Sequence, residues 1–218
     1  MFIPFIFRFP ITMKYKLFLI TFLAFFGLVT ESLAQIGMML GTNYSNIRHQ
    51  DRLEGTRGKV GLHLGFNIEV VPIRSIPNLS LKTDFMIVPK GYNQILDDIK
   101  YRVNLEYFVF APMIKYAFDK DFAVHSGVEF NGFIGSNVEG AEETYRKNEK
   151  AFFFGFDILS SKRFSFYTRA SFGLTPVLDY YEIDPIEGIT GSFSDLYTTT
   201  IMIGLQINIH HEKIRFKN

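Results

Sequence analysis

Three polar residues in the middle of the chain, His125, Ser126 and Glu129, are of the types that hydrolases use as base, nucleophile and acid. A serine nucleophile needs its base within hydrogen-bonding reach. His125 and Ser126, however, are neighbours in an alternating segment, and neighbouring side chains of a strand point to opposite faces. No serine lies in a G-x-S-x-G turn. The sequence therefore predicts no catalytic residues, and His125 is interpreted as a hydrogen-bonded interior residue.

Two other segments carry residue types that ligate metals. His210, His211 and Glu212 are consecutive near the C-terminus, where an exposed tail is the better interpretation. The acidic segment Glu139–Glu149 lacks the D-x-[DN]-x-[DN]-G spacing of a calcium loop and is interpreted as a solvated loop. The chain has 0 Cys, which excludes thiolate metal sites and disulfides. We expect no metal site and no cofactor.

The elements that position the polar residues are strands. In Lys59–Val70, apolar residues alternate with small or polar ones, which is the period of a strand and not of a helix. No segment after Gln35 has a convincing helical period. The same alternation recurs in seven further segments: Ile36–Tyr44, Leu79–Val88, Tyr101–Phe118, Phe122–Asn137, Lys150–Leu159, Phe164–Leu174 and Tyr197–Ile209. The sequence predicts an all-β fold, an eight-stranded antiparallel up-and-down transmembrane β-barrel.

The polar wall of these strands is expected to face the barrel interior, because small and charged groups fit a narrow lumen and large apolar groups fit lipid. Both signs of charge occur there in near balance, which favours a packed core of ion pairs over an open pore. Aromatic residues near the strand ends resemble the girdles of membrane barrels. The predicted lumen residues are His63, Asn67, Glu69, Lys82, Asp84, Arg102, Asn104, Glu106, His125, Glu129, Asn131, Asp157, Arg169, Gln206 and Asn208. A secreted lipocalin-like barrel, with the apolar wall inside, is the alternative.

The connections between the predicted strands alternate in length, as in outer-membrane barrels with short periplasmic turns and longer outer loops. Long loops are predicted at Ser45–Gly58, Pro89–Lys100, Val138–Glu149 and Thr175–Leu196, and short turns between the other strands. Within Tyr101–Phe118 the alternation changes near Pro112. Because proline is excluded from regular ladder positions, a bulge is predicted there.

The first 34 residues have the order of a secretory signal peptide. Lys14 and Lys16 precede the apolar run Leu17–Val29, and small residues follow at Ser32 and Ala34. We expect cleavage after Ala34, a translation start at either Met1 or Met13, and a barrel domain over residues 35–218. The formal net charge of +1 gives no basic excess, so no nucleic-acid partner is expected.

Several stretches together resemble the PorT-like family of small outer-membrane β-barrels. They are GMMLGTNYSNI, KVGLHLGFNIEV, LSLKTDFMIVPKGY, RVNLEYFVFAPMIKYAF, VHSGVEFNGFIG and TTTIMIGLQINI, in this order over Ile36–Ile209. The resemblance implies an eight-stranded barrel in the outer membrane of a Gram-negative bacterium. It also implies a link to protein secretion, since PorT itself is tied to a secretion system. The chain departs from many such barrels in continuing with His210–Asn218 after its last strand.

The expected function is that of a non-enzymatic, monomeric outer-membrane barrel with a structural or interaction role. Its expected partners are outer-membrane lipid and proteins that contact its loops or turns. The alternatives are an outer-membrane enzyme that modifies lipid, with His125 and Glu129 as its polar groups, and the secreted ligand-binding barrel.

Overall fold

The computed structural model describes residues 34–48, 56–72, 75–96, 99–137, 145–184 and 188–210. These residues form nine strands: β1 (Ala34–Arg48), β2 (Thr56–Val70), β3 (Leu79–Leu96), β4 (Ile99–Ala117), β5 (Phe122–Ser136), β6 (Asn148–Ile158), β7 (Phe164–Gly173), β8 (Leu178–Asp184) and β9 (Gly188–His210). No helix in the described part of the chain is long and apolar enough to cross a membrane.

The strands close into an antiparallel barrel of eight staves. Neighbours pair in sequence order from β1 to β7, then β7 pairs with β9, and β9 returns to β1. The closing contact between β1 and β9 extends from Ile36↔His210 to Arg48↔Tyr197. The predicted eight-stranded barrel is therefore confirmed. The structure adds one strand, since β8 pairs only with the first half of β9 and forms a hairpin with it outside the barrel wall.

Burial in β2 follows the alternation of its sequence. The side chains of Val60, Leu62 and Leu64 are 67%, 70% and 58% exposed, whereas those of His63 and Asn67 are fully buried. The same alternation of burial holds around the barrel: large apolar residues form the exterior, and the interior holds polar residues together with buried apolar ones such as Met86, Val109 and Met202. The large apolar side chains thus face outward, which is the reverse of their orientation in a soluble barrel.

The apolar exterior has the height of a bilayer core. It extends over ten residue steps on β2, from Val60 to Val70, and over the same number from Phe108 to Phe118. Ten steps of about 3.3 Å on strands tilted by about 40° give a band roughly 25 Å tall. That height matches the apolar band of outer-membrane barrels.

The predicted loop Pro89–Lys100 is wrong, because strand pairing continues through it. β3 and β4 stay in register up to Leu96↔Ile99 and form one long hairpin. An irregularity lies on the other side of β3, where the β2–β3 register shifts between Gly58 and Leu64. Gly91 lies opposite this gap with a φ of 136°, a left-handed conformation that glycine adopts without strain.

For the first half of β4, the prediction of which side chains face outward is also wrong. Val103, Leu105 and Tyr107 are buried, while Arg102 and Glu106 are exposed and Asn104 is half-buried. No bulge occurs at the predicted proline, because β4 keeps one alternation throughout and its register with β3 is continuous. The irregularity lies instead on the β5 side, where the register shifts between Glu106 and Tyr107 of β4.

Four other predicted segments differ from the structure or lie outside it. Strand pairing enters the predicted loops Ser45–Gly58 and Val138–Glu149 at their ends, because β1 continues to Arg48, β2 begins at Thr56 and β6 begins at Asn148. The predicted signal peptide precedes the described residues except at Ala34, which begins β1, and its cleavage stays a prediction. Of the tail His210–Asn218, only the backbone of the first residue is described.

Candidate functional site

The barrel lumen brings together most of the residues that the sequence placed there. Twelve of the fifteen predicted lumen side chains are buried inside the barrel: His63, Asn67, Glu69, Lys82, Asp84, His125, Glu129, Asn131, Asp157, Arg169, Gln206 and Asn208. The three exceptions are the β4 residues already described. Each of the twelve projects inward because it occupies the alternate position to a lipid-facing residue on its strand.

The centre of the lumen is organised by the guanidinium group of Arg169 on β7. It donates a hydrogen bond to the Asp84 carboxylate on β3 and lies 3.4 Å from an oxygen of Glu129 on β5. The same group lies 4.1 Å from the ring centroid of Phe153, which gives it a cation–π contact. Glu129, the second carboxylate beside Arg169, also accepts a hydrogen bond from the Ser171 hydroxyl at 2.6 Å. One cation therefore ties three strands together.

Nearer the long-connection end of the lumen, Lys90 on β3 takes the central role. Its ammonium lies 3.1 Å from an oxygen of Glu149 and 3.7 Å from one of Glu129. Glu149 also accepts hydrogen bonds from the Asn131 amide, at 2.9 Å, and from the Thr198 hydroxyl. All these groups are buried, so each depends on its partners for the hydrogen bonds that water would otherwise supply.

At the short-turn end, Lys115 on β4 bridges two carboxylates. Its ammonium lies 3.0 Å from Glu69 on β2 and 3.0 Å from Asp157 on β6. The Ser80 hydroxyl donates to Glu69 at 2.6 Å, and an imidazole nitrogen of His125 lies 3.3 Å from Asp157. The network thus has three levels along the lumen, and Glu129 joins the levels of Lys90 and Arg169.

The composition of this network explains why it is stable inside a barrel. Five carboxylates and four cations are buried there: Glu69, Asp84, Glu129, Glu149, Asp157, Lys82, Lys90, Lys115 and Arg169. Buried ions cost several kcal/mol each unless paired with good geometry. Eight staves leave an interior just wide enough for side chains to fill. The lumen is therefore a packed ionic core.

At the long-connection end of the lumen, Tyr145 packs into the core just before β6 begins. Tyr145 is 7% exposed, and its hydroxyl lies 3.1 Å from that of Tyr92. The backbone N–H of Phe133 donates to the Lys147 carbonyl at 2.8 Å and holds the residues before β6 against β5. Burial, with the hydrogen bond to Tyr92, raises the pKa of Tyr145 above its ordinary value.

His125, Ser126 and Glu129, whose residue types could form a catalytic set, do not come together in the structure. His125 is buried in the lumen. Ser126, the next residue on β5, is exposed on the outer face of the barrel, and its hydroxyl donates to the Phe153 carbonyl at 3.0 Å. Adjacent strand residues diverge, as the sequence indicated. Among the described residues, no group of three or more His, Asp or Glu side chains has the arrangement of a metal site.

Sequence reasoning missed several members of the network. The sequence places Lys90 and Glu149 in loops, because Pro89 and the acidic segment after Asn137 are typical of the ends of strands. Lys115 is absent from the predicted lumen residues, although it lies between the outward Ile114 and Tyr116 on β4. Strict continuation of the two-residue period would have found Lys115, but the length of the β3–β4 hairpin has no comparable sequence signal.

The fold and the lumen together define the class of protein. Among the described residues, the wall is a closed barrel whose strands all pair with two neighbours, its interior carries buried ion pairs, and its apolar band roughly 25 Å tall presents large apolar groups to lipid. The chain is an eight-stranded membrane-spanning β-barrel of the outer-membrane type, and its location is the outer membrane.

No family model matches the sequence, and no curated protein matches it. Among solved structures, the chain is similar to Ail, the attachment invasion locus protein of Yersinia pestis, at 11% identity and a TM-score of 0.45, over 81% of this chain and 99% of that one. It is similar to the outer membrane protein OprG from Pseudomonas aeruginosa at 11% identity and a TM-score of 0.43, over 82% and 97%. Neisserial surface protein A has 8% identity and a TM-score of 0.42, over 81% and 99%. At these values the likeness carries no functional inference.

Proposed function

We propose that the protein is a non-enzymatic, monomeric outer-membrane barrel with a structural or interaction role. The observation that carries the proposal is the lumen, in which ion pairs and hydrogen bonds fill the space that a pore or a ligand would need. Because the outer wall contacts lipid and the interior is filled by the barrel's own side chains, the two ends of the barrel are the surfaces available to partners.

The long-connection end is the better candidate for contact with another protein. The β3–β4 hairpin is paired as far as Leu96↔Ile99, well beyond the outward apolar band, which ends at Phe108 on β4. The β8–β9 hairpin adds a second projection at the same end. Paired hairpins hold a binding surface with less loss of conformational entropy than loose loops. The resemblance to the PorT-like family favours a role in protein secretion or envelope assembly.

The alternative of a lipid-modifying enzyme is less well supported. The buried cations Lys90, Lys115 and Arg169 are engaged with carboxylates. His125 faces the lumen, whereas the neighbouring Ser126 lies on the outer face of the barrel. The secreted lipocalin-like barrel is opposed by the exterior, where Leu62 and Leu64 would be exposed to water. An exposed apolar surface of this extent requires lipid or a partner.

The test combines fractionation with a hairpin variant. Tagged protein is expected in outer-membrane fractions with heat-modifiable gel mobility, and a partner is expected to copurify from mild detergent. Replacing residues 95–100 by an Asn-Gly turn should abolish copurification without changing the mobility. The control variant, Lys162→Gln in the turn between β6 and β7, should retain the partner. Recovery of the protein from the soluble periplasm, or changed lipid profiles in a deletion strain, would contradict the proposal.

A further inference from the structure

One strand of the described chain has a neighbour on only one side. β8 ends the sheet order and pairs with β9 alone, from Leu178↔Leu196 to Asp184↔Gly188, whereas every other described strand has at least two neighbours. A strand in this position presents on its outer edge backbone N–H and C=O groups that no ladder uses. Among the described residues, β8 therefore provides an edge to which a further strand can be added.

The root of the β8–β9 hairpin is fixed, so this edge is held in a definite place. Val177 and Leu196 are buried, and the Val177 N–H donates to the Leu196 carbonyl at 2.8 Å. The Val177 carbonyl in turn accepts a hydrogen bond of 2.9 Å from the backbone N–H of Arg146, which lies just before β6. A partner that pairs with β8 consequently meets a preorganised surface, which lowers the entropy cost of binding.

The other long hairpin, β3–β4, has an edge that is partly closed. The ladder between β4 and β5 ends at Leu105↔Ser136, and the side chain of Asn137 continues it. Its amide nitrogen donates to the Arg102 carbonyl at 3.0 Å, and its oxygen accepts from the Asn104 N–H at 2.7 Å. Because an asparagine side chain takes the place of a neighbouring strand there, β8 is the stronger candidate for strand addition.

The sequence of the β8–β9 hairpin and its root is acidic throughout. The stretch 175–196 contains five carboxylates and no Lys, Arg or His. They are Asp179, Glu182, Asp184, Glu187 and Asp195, and the first three belong to β8. Natural edge strands often carry Lys or Pro, which oppose strand addition, and β8 has neither.

This charge decides which kind of strand fits the edge. Like charges that face each other across a strand pair are unfavourable, so a second copy of β8 is a poor neighbour. A basic strand has the complementary charge, which favours encounter with the hairpin and discriminates against neutral or acidic strands.

We propose that the outer edge of β8 binds an extended, basic segment of a partner protein, which adds a strand to the β8–β9 hairpin. Backbone hydrogen bonds along the edge provide the pairing, and the Lys or Arg side chains of the added strand offset the negative charge of the hairpin. The inference rests on the proposed function, because it names the chemistry of a protein partner at the long-connection end.

The test uses the full-length protein refolded into nanodiscs and, as the probe, a fluorescent peptide in which lysine alternates with valine. Fluorescence anisotropy should show that this peptide binds the parent protein. Methylation of the peptide's backbone nitrogens removes its hydrogen-bond donors without changing its charge, and should weaken binding by about tenfold or more. The same peptide with glutamate in place of lysine should not bind measurably.

A pair of variants tests the contribution of the acidic strand. Glu182→Gln/Asp184→Asn should bind the lysine peptide about fivefold more weakly than the parent. The matched control, Asp119→Asn/Asp121→Asn, removes the same charge from the turn between β4 and β5 at the opposite end and should bind as the parent does. Heat-modifiable mobility of all three proteins establishes that the barrel is intact.

Three results would overturn the proposal. Equal affinity for the lysine peptide and its methylated form would show charge attraction without strand addition. Equal affinity for the lysine and glutamate peptides would remove the basic partner, and a dimer of the parent protein that the lysine peptide does not dissociate would give the edge to a second copy. Because the probe replaces the cellular partner, the result does not depend on whether a protein copurifies with the parent, so this proposal and the proposed function can fail separately.

Discussion

Arg169 on β7 is hydrogen-bonded to Asp84 on β3, and these strands lie on opposite sides of the barrel. Three staves separate them in either direction around the closed wall, so the contact passes across the barrel axis. Both side chains are buried. A cross-axis ion pair of this kind both closes the lumen and fixes the distance between facing walls.

Replacing Arg169 by Met should lower the free energy of unfolding by about 3–5 kcal/mol, because it leaves the carboxylates of Asp84 and Glu129 buried without their main cation. The measurement is urea unfolding in lipid vesicles, followed by heat-modifiable gel mobility. Lys162→Gln is the control, since its ion pair with Asp121 is 3.8 Å long and largely exposed. An unfolding midpoint unchanged in the arginine variant would show that the pair does not support the fold.

A charge on the outward face should cost more at the middle of the wall than at its edge. Leu64→Arg should destabilise the folded barrel by about 2–4 kcal/mol, and Val60→Arg by about 0–1 kcal/mol, because the first lies nearer the bilayer midplane. Unfolding in vesicles compares the two variants directly. Equal costs at both positions would contradict the proposed depth of the band.

Since the chain has 0 Cys, single cysteines can report the boundary of the band on β4. Arg102→Cys should react with a membrane-impermeant maleimide in intact cells, and Ile114→Cys should react only with a lipid-soluble one. The physical reason is that Ile114 faces outward within the apolar band, whereas position 102 lies beyond it. Labelling of position 114 by the impermeant reagent would place that surface in water.

Two strand glycines should differ sharply in their tolerance of alanine. A Cβ at Gly155 would collide with the backbone oxygen of Thr168 and with the ring of His125, whereas at Gly132 the nearest atom would be 3.9 Å away. Gly155→Ala should therefore reduce the yield of heat-modifiable barrel, and Gly132→Ala should leave it unchanged. If both variants assemble like the parent, β6 and β7 do not approach as closely as described.

The two-residue alternation predicted the fold well, but it could not show where the bilayer ends. Within the band, apolar residues such as Ile114 and Tyr116 point out; beyond it, Val103 and Leu105 point in and Arg102 points out, as in a soluble barrel. The change near Pro112 that suggested a bulge is therefore a change of environment along a regular strand. Alternation alone shows that a strand has two different faces. It does not show whether a given face meets lipid, water or the barrel interior.

The network was only partly predictable for a related reason. His63, Asp84 and Arg169 lie in strongly alternating segments, so their inward position follows from the local sequence. Lys90 and Glu149 lie among Pro, Gly and acidic residues that usually end strands. Their place in the lumen depends on pairing across β3–β4 and β5–β6, which is a tertiary property.

Ion conductance across a planar lipid bilayer tests most directly whether the lumen is a packed core. The refolded parent protein, with Arg169, Asp84 and Glu129 in place, is predicted to insert without producing conductance steps. Heat-modifiable mobility of the same preparation confirms that folded barrel is present. Stable, reproducible single-channel steps from the parent protein would contradict the account.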